Sequence, residues 1–239
     1  MNDPASSIAG DEAAARDVPA PDALLFDLDG VLANVAESYR ACILETAATF
    51  GAVVTAAHIE EAKRAGNANN DWILTRRLLL ARGIEADLDE VTKRFQLLYA
   101  GSASGNGYRD RESLFLDSAA FDRLGRRFPL AVVTGRPRAD AAYFLKRFGL
   151  ESRFACVVAM EDAPAKPDPA GVRAAACRLG ARRPWMIGDT PDDMRAASGA
   201  GAVGIGVCHT RDFEMMRALL DAGAHLVLSD INQLEDLLP

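Results

Sequence analysis

Two carboxylates one residue apart, Asp27 and Asp29, stand at the end of the apolar run Ala23-Leu24-Leu25-Phe26 and are followed at once by Gly30. Acidic groups so placed can serve as nucleophile, as general acid and base, or as oxygen ligands for a hard cation. Three other segments hold groups of matching chemical reach: Thr134-Gly135-Arg136-Pro137, Ala165-Lys166-Pro167-Asp168-Pro169 and Gly188-Asp189-Thr190-Pro191-Asp192-Asp193. Brought together, Asp27, Asp29, Asp189 and Asp193 would repel one another unless a cation is bound or some of them hold protons. An oxygen-only set suits Mg²⁺, which takes one or two carboxylates and keeps sites for water and phosphate oxygens. The Thr134 hydroxyl, the Lys166 ammonium and backbone N–H groups following Asp27, at Leu28 and beyond, are donors for a phosphoryl group, with Gly135 and Arg136 beside them.

These segments act together only if the fold delivers them to one place. The run 23–26 reads as a strand buried on both faces, which puts Asp27 and Asp29 at its C-terminal end, where open α/β sheets bind ligands. From 35 to 100 the apolar spacing is helical, over 35–50, 56–65, 72–82 and 88–100, with Gly51, Gly83 and Gly101 as stops. A Gly/Ser stretch over 101–107 reads as a loop leading out. From Phe115 onward strands and helices alternate: strands over 130–133, 154–158, 185–187, 203–207 and 226–228, helices over 138–148, 170–179, 192–198 and 213–222. Alternation of this kind predicts a doubly wound, Rossmann-like parallel sheet with helices on both faces. The expected organisation is an α/β core over 22–33 and 109–239, an all-helical cap over 34–108 inserted after the first strand, and a disordered tail over 1–21, which lacks apolar periodicity. An insertion at that point is placed to act as a lid.

Composition narrows the partners. A net charge of −7, from 27 Lys and Arg against 34 Asp and Glu, argues against a nucleic-acid surface. Cys42, Cys156, Cys177 and Cys208 are scattered without a C-x-x-C pair, as expected of reduced cysteines in a cytoplasmic protein. No apolar run approaches the roughly 18 residues of a membrane span. The expected partner is a small phosphorylated metabolite.

The motifs DLDGV, VVTGRP, AKPDP and IGDTPDD, in this order and with a helical insertion after the first, resemble those of the haloacid dehalogenase (HAD) superfamily. Within it they look like the branch of phosphoglycolate phosphatases and β-phosphoglucomutases. The resemblance runs from Ala23 to the C-terminus, and four ordered motifs are far more specific than a lone D-x-D. It implies a Mg²⁺-dependent phosphatase in which Asp27 attacks phosphorus to form an aspartyl-phosphate. Asp29 would then be acid and base, with its backbone carbonyl on the metal. Thr134 would bond the phosphoryl oxygens, Lys166 would neutralise charge, Asp189 would ligate the metal and Asp193 would reach it through water. An aspartate at position 29 favours phosphate esters, because attack on carbon with halide departure needs no acid. A phosphomutase would share every core residue, while a binding protein on the same scaffold would be expected to lose Asp27, Asp29 or Lys166.

Several of these residues also have structural readings. Thr190 with Asp193 has the form of a capping box, and Pro137 suits a first helical turn. The amide-rich stretch Gly66-Asn67-Ala68-Asn69-Asn70-Asp71 exceeds what one helix cap needs, so Asn67 and Asn70 are expected to touch the substrate, with Asn70 or Asp71 as cap. Lys63, Arg64 and Arg136 are candidate anchors for a second anionic group, and His58, His209 and His225 read as incidental. The chain departs from many relatives at Ala33, Asn34 and Val35, where they carry an aspartate followed by a small hydroxyl residue.

Overall fold

The computed structural model describes residues 18–102 and 105–239. Six parallel strands form one sheet: β1 (Ala23–Phe26), β2 (Leu130–Val133), β3 (Cys156–Val158), β4 (Pro184–Gly188), β5 (Val203–Val207) and β6 (Ala224–Leu228), in the spatial order β6-β5-β4-β1-β2-β3. The first strand in the chain is therefore central. It pairs with β2 on one side, Phe26 beside Val132, and with β4 on the other, Phe26 beside Ile187. Because successive side chains point to opposite faces, a central strand covered on both sides must be apolar throughout, which is why ALLF shows no alternation. Leu24 and Phe26 join one core cluster and Leu25 another.

The face that holds Leu25 is covered by two alanine-rich helices, Ala170–Leu179 and Pro191–Ala200, whose Ala175, Ala196 and Ala197 let the helices approach closely. The other face packs larger groups, including Phe121 and Leu124 from helix Ser118–Arg127 and Phe144 from helix Arg138–Arg147.

Before helix Ser118–Arg127 leads into β2, the insertion after β1 contributes α1 (Tyr39–Thr49), α2 (Ala56–Ala65), α3 (Asp71–Leu80) and α4 (Leu88–Ala100). Their Tyr39, Ile43, Leu74, Phe95 and Tyr99 belong to the same buried cluster as Phe26 and Val132, so the insertion and this face of the sheet share one continuous core. Helix α1 begins later than its apolar spacing suggests, since residues 36–38 form a turn before it. Two short antiparallel pairings were invisible to periodicity: Ala33–Asn34 with Ser113–Leu114, where the chain leaves and re-enters the sheet domain, and Gly101–Ser102 with Gly105–Asn106 in the stretch read as a loop.

Residues 1–17 of the expected tail lie outside the described residues. Its last residues depart from the expectation: Val18 packs on the core and the Pro19 carbonyl accepts a hydrogen bond from the buried Trp185 indole at 2.9 Å. A buried indole N–H needs such a partner. Among the described residues no helix is long and apolar enough to cross a membrane, and the four cysteines are free.

Candidate active site

The C-terminal ends of β1, β2 and β4 are neighbours, and the residues that follow each of them converge. The Asp27 N–H donates to the Ile187 carbonyl at 2.9 Å, extending the pairing by one residue so that the carboxylate leaves the sheet at its edge. The Leu28 carbonyl then accepts from the N–H groups of Leu32 and Ala33 at 2.9 and 2.8 Å, closing a tight turn. Gly30 sits in that turn at φ +75°, and a Cβ there would stand 1.9 Å from Asp189 Oδ2. Only glycine lets the turn and Asp189 approach each other so closely.

Lys166 arrives from the loop after β3 and is buried. Its Nζ lies 3.0 Å from Asp27 Oδ1, 2.5 Å from Asp193 Oδ1 and 3.2 Å from the Val133 carbonyl. Asp193 is fully buried and works at both oxygens: Oδ1 meets Lys166, while Oδ2 accepts from the Thr190 N–H at 3.0 Å and the Thr190 hydroxyl at 2.6 Å. The capping box over helix Pro191–Ala200 is thus real, with Thr190 as N-cap, and its N3 member Asp193 is also held at the site. Asp27, Asp189 and Asp193 offer oxygens that all lie within 4.8 Å of one another.

One lysine cannot balance three carboxylates, of which Asp27 and Asp193 are buried and Asp189 half-buried. Burial pushes Asp27 up to about 7, with Lys166 opposing and Asp193 and Asp29 adding to the rise. Asp189 is pushed up to about 8 by burial and by Asp193 and Asp27, against the opposing pull of Lys63 and Arg40. Burial alone would lower Lys166, but Asp193 and Asp27 hold it above its ordinary value, so it stays charged. Carboxylates that resist ionising at neutral pH, in a cluster with only oxygen donors, match what a hard divalent cation needs.

Thr134 is buried beside this cluster. Its N–H donates to the Val158 carbonyl at 2.9 Å and its Oγ1 accepts from the Arg136 N–H at 3.1 Å, so the hydroxyl is oriented by its own turn. With Gly135 and Lys166 it lines a small pocket that Asn69 and Asn70 cover. A Cβ on Gly135 would lie 2.4 Å from the Asn69 carbonyl oxygen, so the helical insertion sits directly on this turn.

Three residues expected to contact substrate have partners within the protein. Asn70 caps α3, its Oδ1 accepting from the N–H groups of Trp72 and Ile73 at 3.1 Å each. Asn67 adopts a left-handed φ of 54° and its carbonyl accepts from Arg77 at 3.1 Å. Arg136 directs its guanidinium to Asp29, Glu112 and Tyr99. The amide that reaches across is Asn69, whose Nδ2 donates to Asp192 Oδ2 at 2.9 Å, next to the Ala68 N–H at 3.2 Å. Asp29 likewise stands apart from the acidic group, with its carboxylate turned to Arg136.

A cavity of about 250 Å³ opens between insertion and sheet, lined by Gly30, Asn34, Arg40, Lys63, Asp189 and His209 among others. Lys63 pairs with Asp71 at 3.3 Å and Arg40 pairs with Glu60, while Arg64 lies away from the cavity lining and pairs with Glu214 at 2.8 Å. Glu112 and Tyr99 carry no motif, and nothing in their local sequence marks them; Asp192 lies within IGDTPDD and Asn69 within the amide-rich stretch, but no local signal pairs the two.

The model of the haloacid dehalogenase-like hydrolases matches residues 21–201. The chain is 40% identical over 236 residues to an imidazoleglycerol-phosphate dehydratase of Phytophthora nicotianae, across 91% of this chain and 52% of that protein, so it spans about half the length of this relative. It is 28% identical over 194 residues to a phosphoglycolate phosphatase of Pectobacterium atrosepticum, across 78% of this chain and 80% of that one. Among solved structures, a hydrolase from Pseudomonas syringae superposes with a TM-score of 0.73 at 21% identity, covering 90% of this chain and 96% of its own. A haloacid dehalogenase-like hydrolase from Streptococcus pneumoniae superposes with a TM-score of 0.69 at 17% identity, over 90% and 97%, which speaks to fold alone. With the parallel sheet, the helical insertion after its first strand and the buried carboxylate–lysine cluster at its edge, the matched model places the chain in the haloacid dehalogenase-like hydrolase family.

Proposed function

We propose that this hydrolase is a Mg²⁺-dependent phosphatase of small phosphomonoesters that works through an aspartyl-phosphate on Asp27. The observation that carries the proposal is the convergence of Asp27, Asp189 and Asp193 around Lys166. Asp27 is the nucleophile: an Oδ forms a bond to phosphorus as the bond to the leaving oxygen breaks. Asp29 gives that oxygen a proton and later takes one from the water that releases phosphate from Asp27. Lys166 holds the Asp27 carboxylate in place and keeps a positive charge beside the transferring group. Thr134 and the N–H groups of Leu28 and Gly135 receive the phosphoryl oxygens. Asp27, Asp189 and the Asp29 backbone carbonyl would hold the metal, with Asp193 behind them on Lys166. The ion supplies charge neutralisation that brings an anionic ester up to an anionic nucleophile.

The substrate's organic part occupies the cavity beside Asp189. An imidazole-bearing alkyl phosphate is the class we favour there, supported by the 40% identity to a protein named for a phosphorylated imidazole compound; the phosphoglycolate phosphatase is a more distant relative at 28%. The free cysteines support a reducing, cytoplasmic setting. A screen of imidazole-bearing, sugar and carboxylate-bearing phosphates for phosphate release, with Mg²⁺ and with EDTA, tests the proposal. Release that survives EDTA removes the metal from it, and an isomerised sugar phosphate in place of free phosphate would make the chain a mutase. A best substrate without imidazole would overturn the substrate class.

A further inference from the structure

We propose that Arg136 and Glu112 are positioning residues that aim the Asp29 carboxylate for proton transfer and tie that aim to the seating of the helical insertion. This rests on the reading of Asp29 as acid and base. Arg136 is only 1% exposed although it carries a permanent charge. Its Nε and Nη2 lie 2.7 and 2.6 Å from Asp29 Oδ1. Its Nη1 donates to Tyr99 OH at 3.0 Å and Glu112 Oε2 at 3.1 Å, and its Nη2 donates to Glu112 Oε1 at 3.1 Å. A guanidinium has five N–H groups in a rigid plane, and these contacts use all three of its nitrogens. It has nothing left for a phosphate. The guanidinium carbon also lies over the rings of Tyr39 and Phe144, 4.7 and 5.1 Å from their centroids.

Glu112 makes this an aiming device. One arginine against one carboxylate could rotate about the contact. A second, bidentate carboxylate on another edge of the fork fixes the plane, and Glu112 is itself fixed by the Ser38 hydroxyl at 2.9 Å and Tyr99 OH at 3.3 Å. Ser38 immediately precedes α1 and Tyr99 lies in the last turn of α4, both in the insertion, and Glu112 lies where the chain returns from it. On the flank, Tyr39 OH and Gln96 Nε2 donate to Asp140 Oδ2 at 3.1 and 3.0 Å, pinning the same two helices to the sheet domain. Asp29 side-chain exposure is 22%, and both Arg136 contacts fall on Oδ1, so Oδ2 is the oxygen that exchanges the proton. In the first step that proton goes from Oδ2 to the leaving alkoxide as Asp27 takes the phosphoryl group. In the second a water proton goes to Oδ2 as its oxygen displaces Asp27 from phosphorus.

The test compares Arg136→Lys, Glu112→Gln and Asp29→Asn on p-nitrophenyl phosphate, whose leaving group departs without a proton, and on an alkyl phosphate that the wild type hydrolyses. For Arg136→Lys and Glu112→Gln, kcat on the alkyl ester is expected to fall by about 10²-fold or more, the lower range of acid–base catalysis. KM is expected to stay within about threefold, since substrate binding is not what is removed. The first-turnover burst of nitrophenolate is expected to be nearly preserved, followed by slow turnover as the water step loses its base. A nitrophenolate burst slowed as much as the first turnover of the alkyl ester, or a rise in KM alone as from a lost anion anchor, would overturn the inference. Glu112→Gln keeps shape and volume, so it carries the test if Arg136→Lys does not fold. Full activity of Asp29→Asn on the alkyl ester would sink the acid–base reading itself. An inactive Asp29→Asn beside fully active Arg136 and Glu112 variants would sink only the positioning.

Discussion

Asp27 is held by a single ammonium, Lys166, that it shares with Asp193. The arrangement keeps the nucleophile's carboxylate aimed at the sheet edge while Asp193, anchored through Thr190, keeps the lysine from following it. Asp27→Asn removes the nucleophile but preserves its shape, and the expected result is a loss of turnover of roughly 10³-fold or more with an unchanged fold. Circular dichroism and steady-state phosphate release check the two halves separately, and near-normal turnover would refute the covalent step. Lys166→Met should cost more than activity, because it leaves Asp27 and Asp193 buried together without a cation. We expect it to lower stability by about 3 kcal/mol or more, read from urea unfolding.

At the scale of elements, the insertion is docked by its loops as much as by its helices. Asp192, in the first turn of helix Pro191–Ala200, accepts from Ala68 and Asn69, and the Asn69 carbonyl rests on Gly135. Asp192→Ala orphans these donors, so stability should fall by about 1–3 kcal/mol. Limited proteolysis should then cut within residues 66–70, and protection equal to wild type would show that this contact does not seat the loop. Asn70 acts on its own helix. Asn70→Ala should lower stability by about 1 kcal/mol, whereas Asn70→Asp, which keeps the cap, should restore it. A large KM change in Asn70→Asp with normal stability would return Asn70 to the role of substrate contact.

For the whole molecule, the acidic cluster couples folding to pH and metal. Asp27 and Asp189, ordinarily half-protonated near 3.8, keep their protons in the folded chain up to about 7 and 8. Between those limits the folded state binds more protons than the unfolded one, so stability falls as pH rises through this window and levels off above it. Lys166, raised above its ordinary value, stays protonated in both states there and contributes no slope. A divalent cation competes with those protons. The gain in Tm on adding Mg²⁺ should therefore be larger at about pH 8.5 than at about pH 5.5, and should vanish with EDTA. A gain that is absent or independent of pH would mean that the cluster is not the metal site.

The strands and the meeting of Asp27, Asp189 and Asp193 were legible in the chain because each follows a short apolar run, whereas Lys166, in a loop beyond β3, was marked only by its order among the motifs. A parallel sheet must send all of its strand ends to one edge, so local pattern was enough to forecast a distant meeting. In the asparagine-rich stretch capping and ligand binding use the same amide groups, and only geometry separates Asn70, which caps, from Asn69, which bridges. Arg136 was ambiguous in the sequence for a similar reason: its guanidinium suits phosphate and carboxylate alike. What turned it toward Asp29 is Glu112, a lone acid with no periodicity or motif, brought into reach when the helical insertion folds back. The sequence by itself determined the sheet and the groups gathered at its edge. The tertiary structure decided what aims them, because aiming depends on single contacts between segments far apart in the chain.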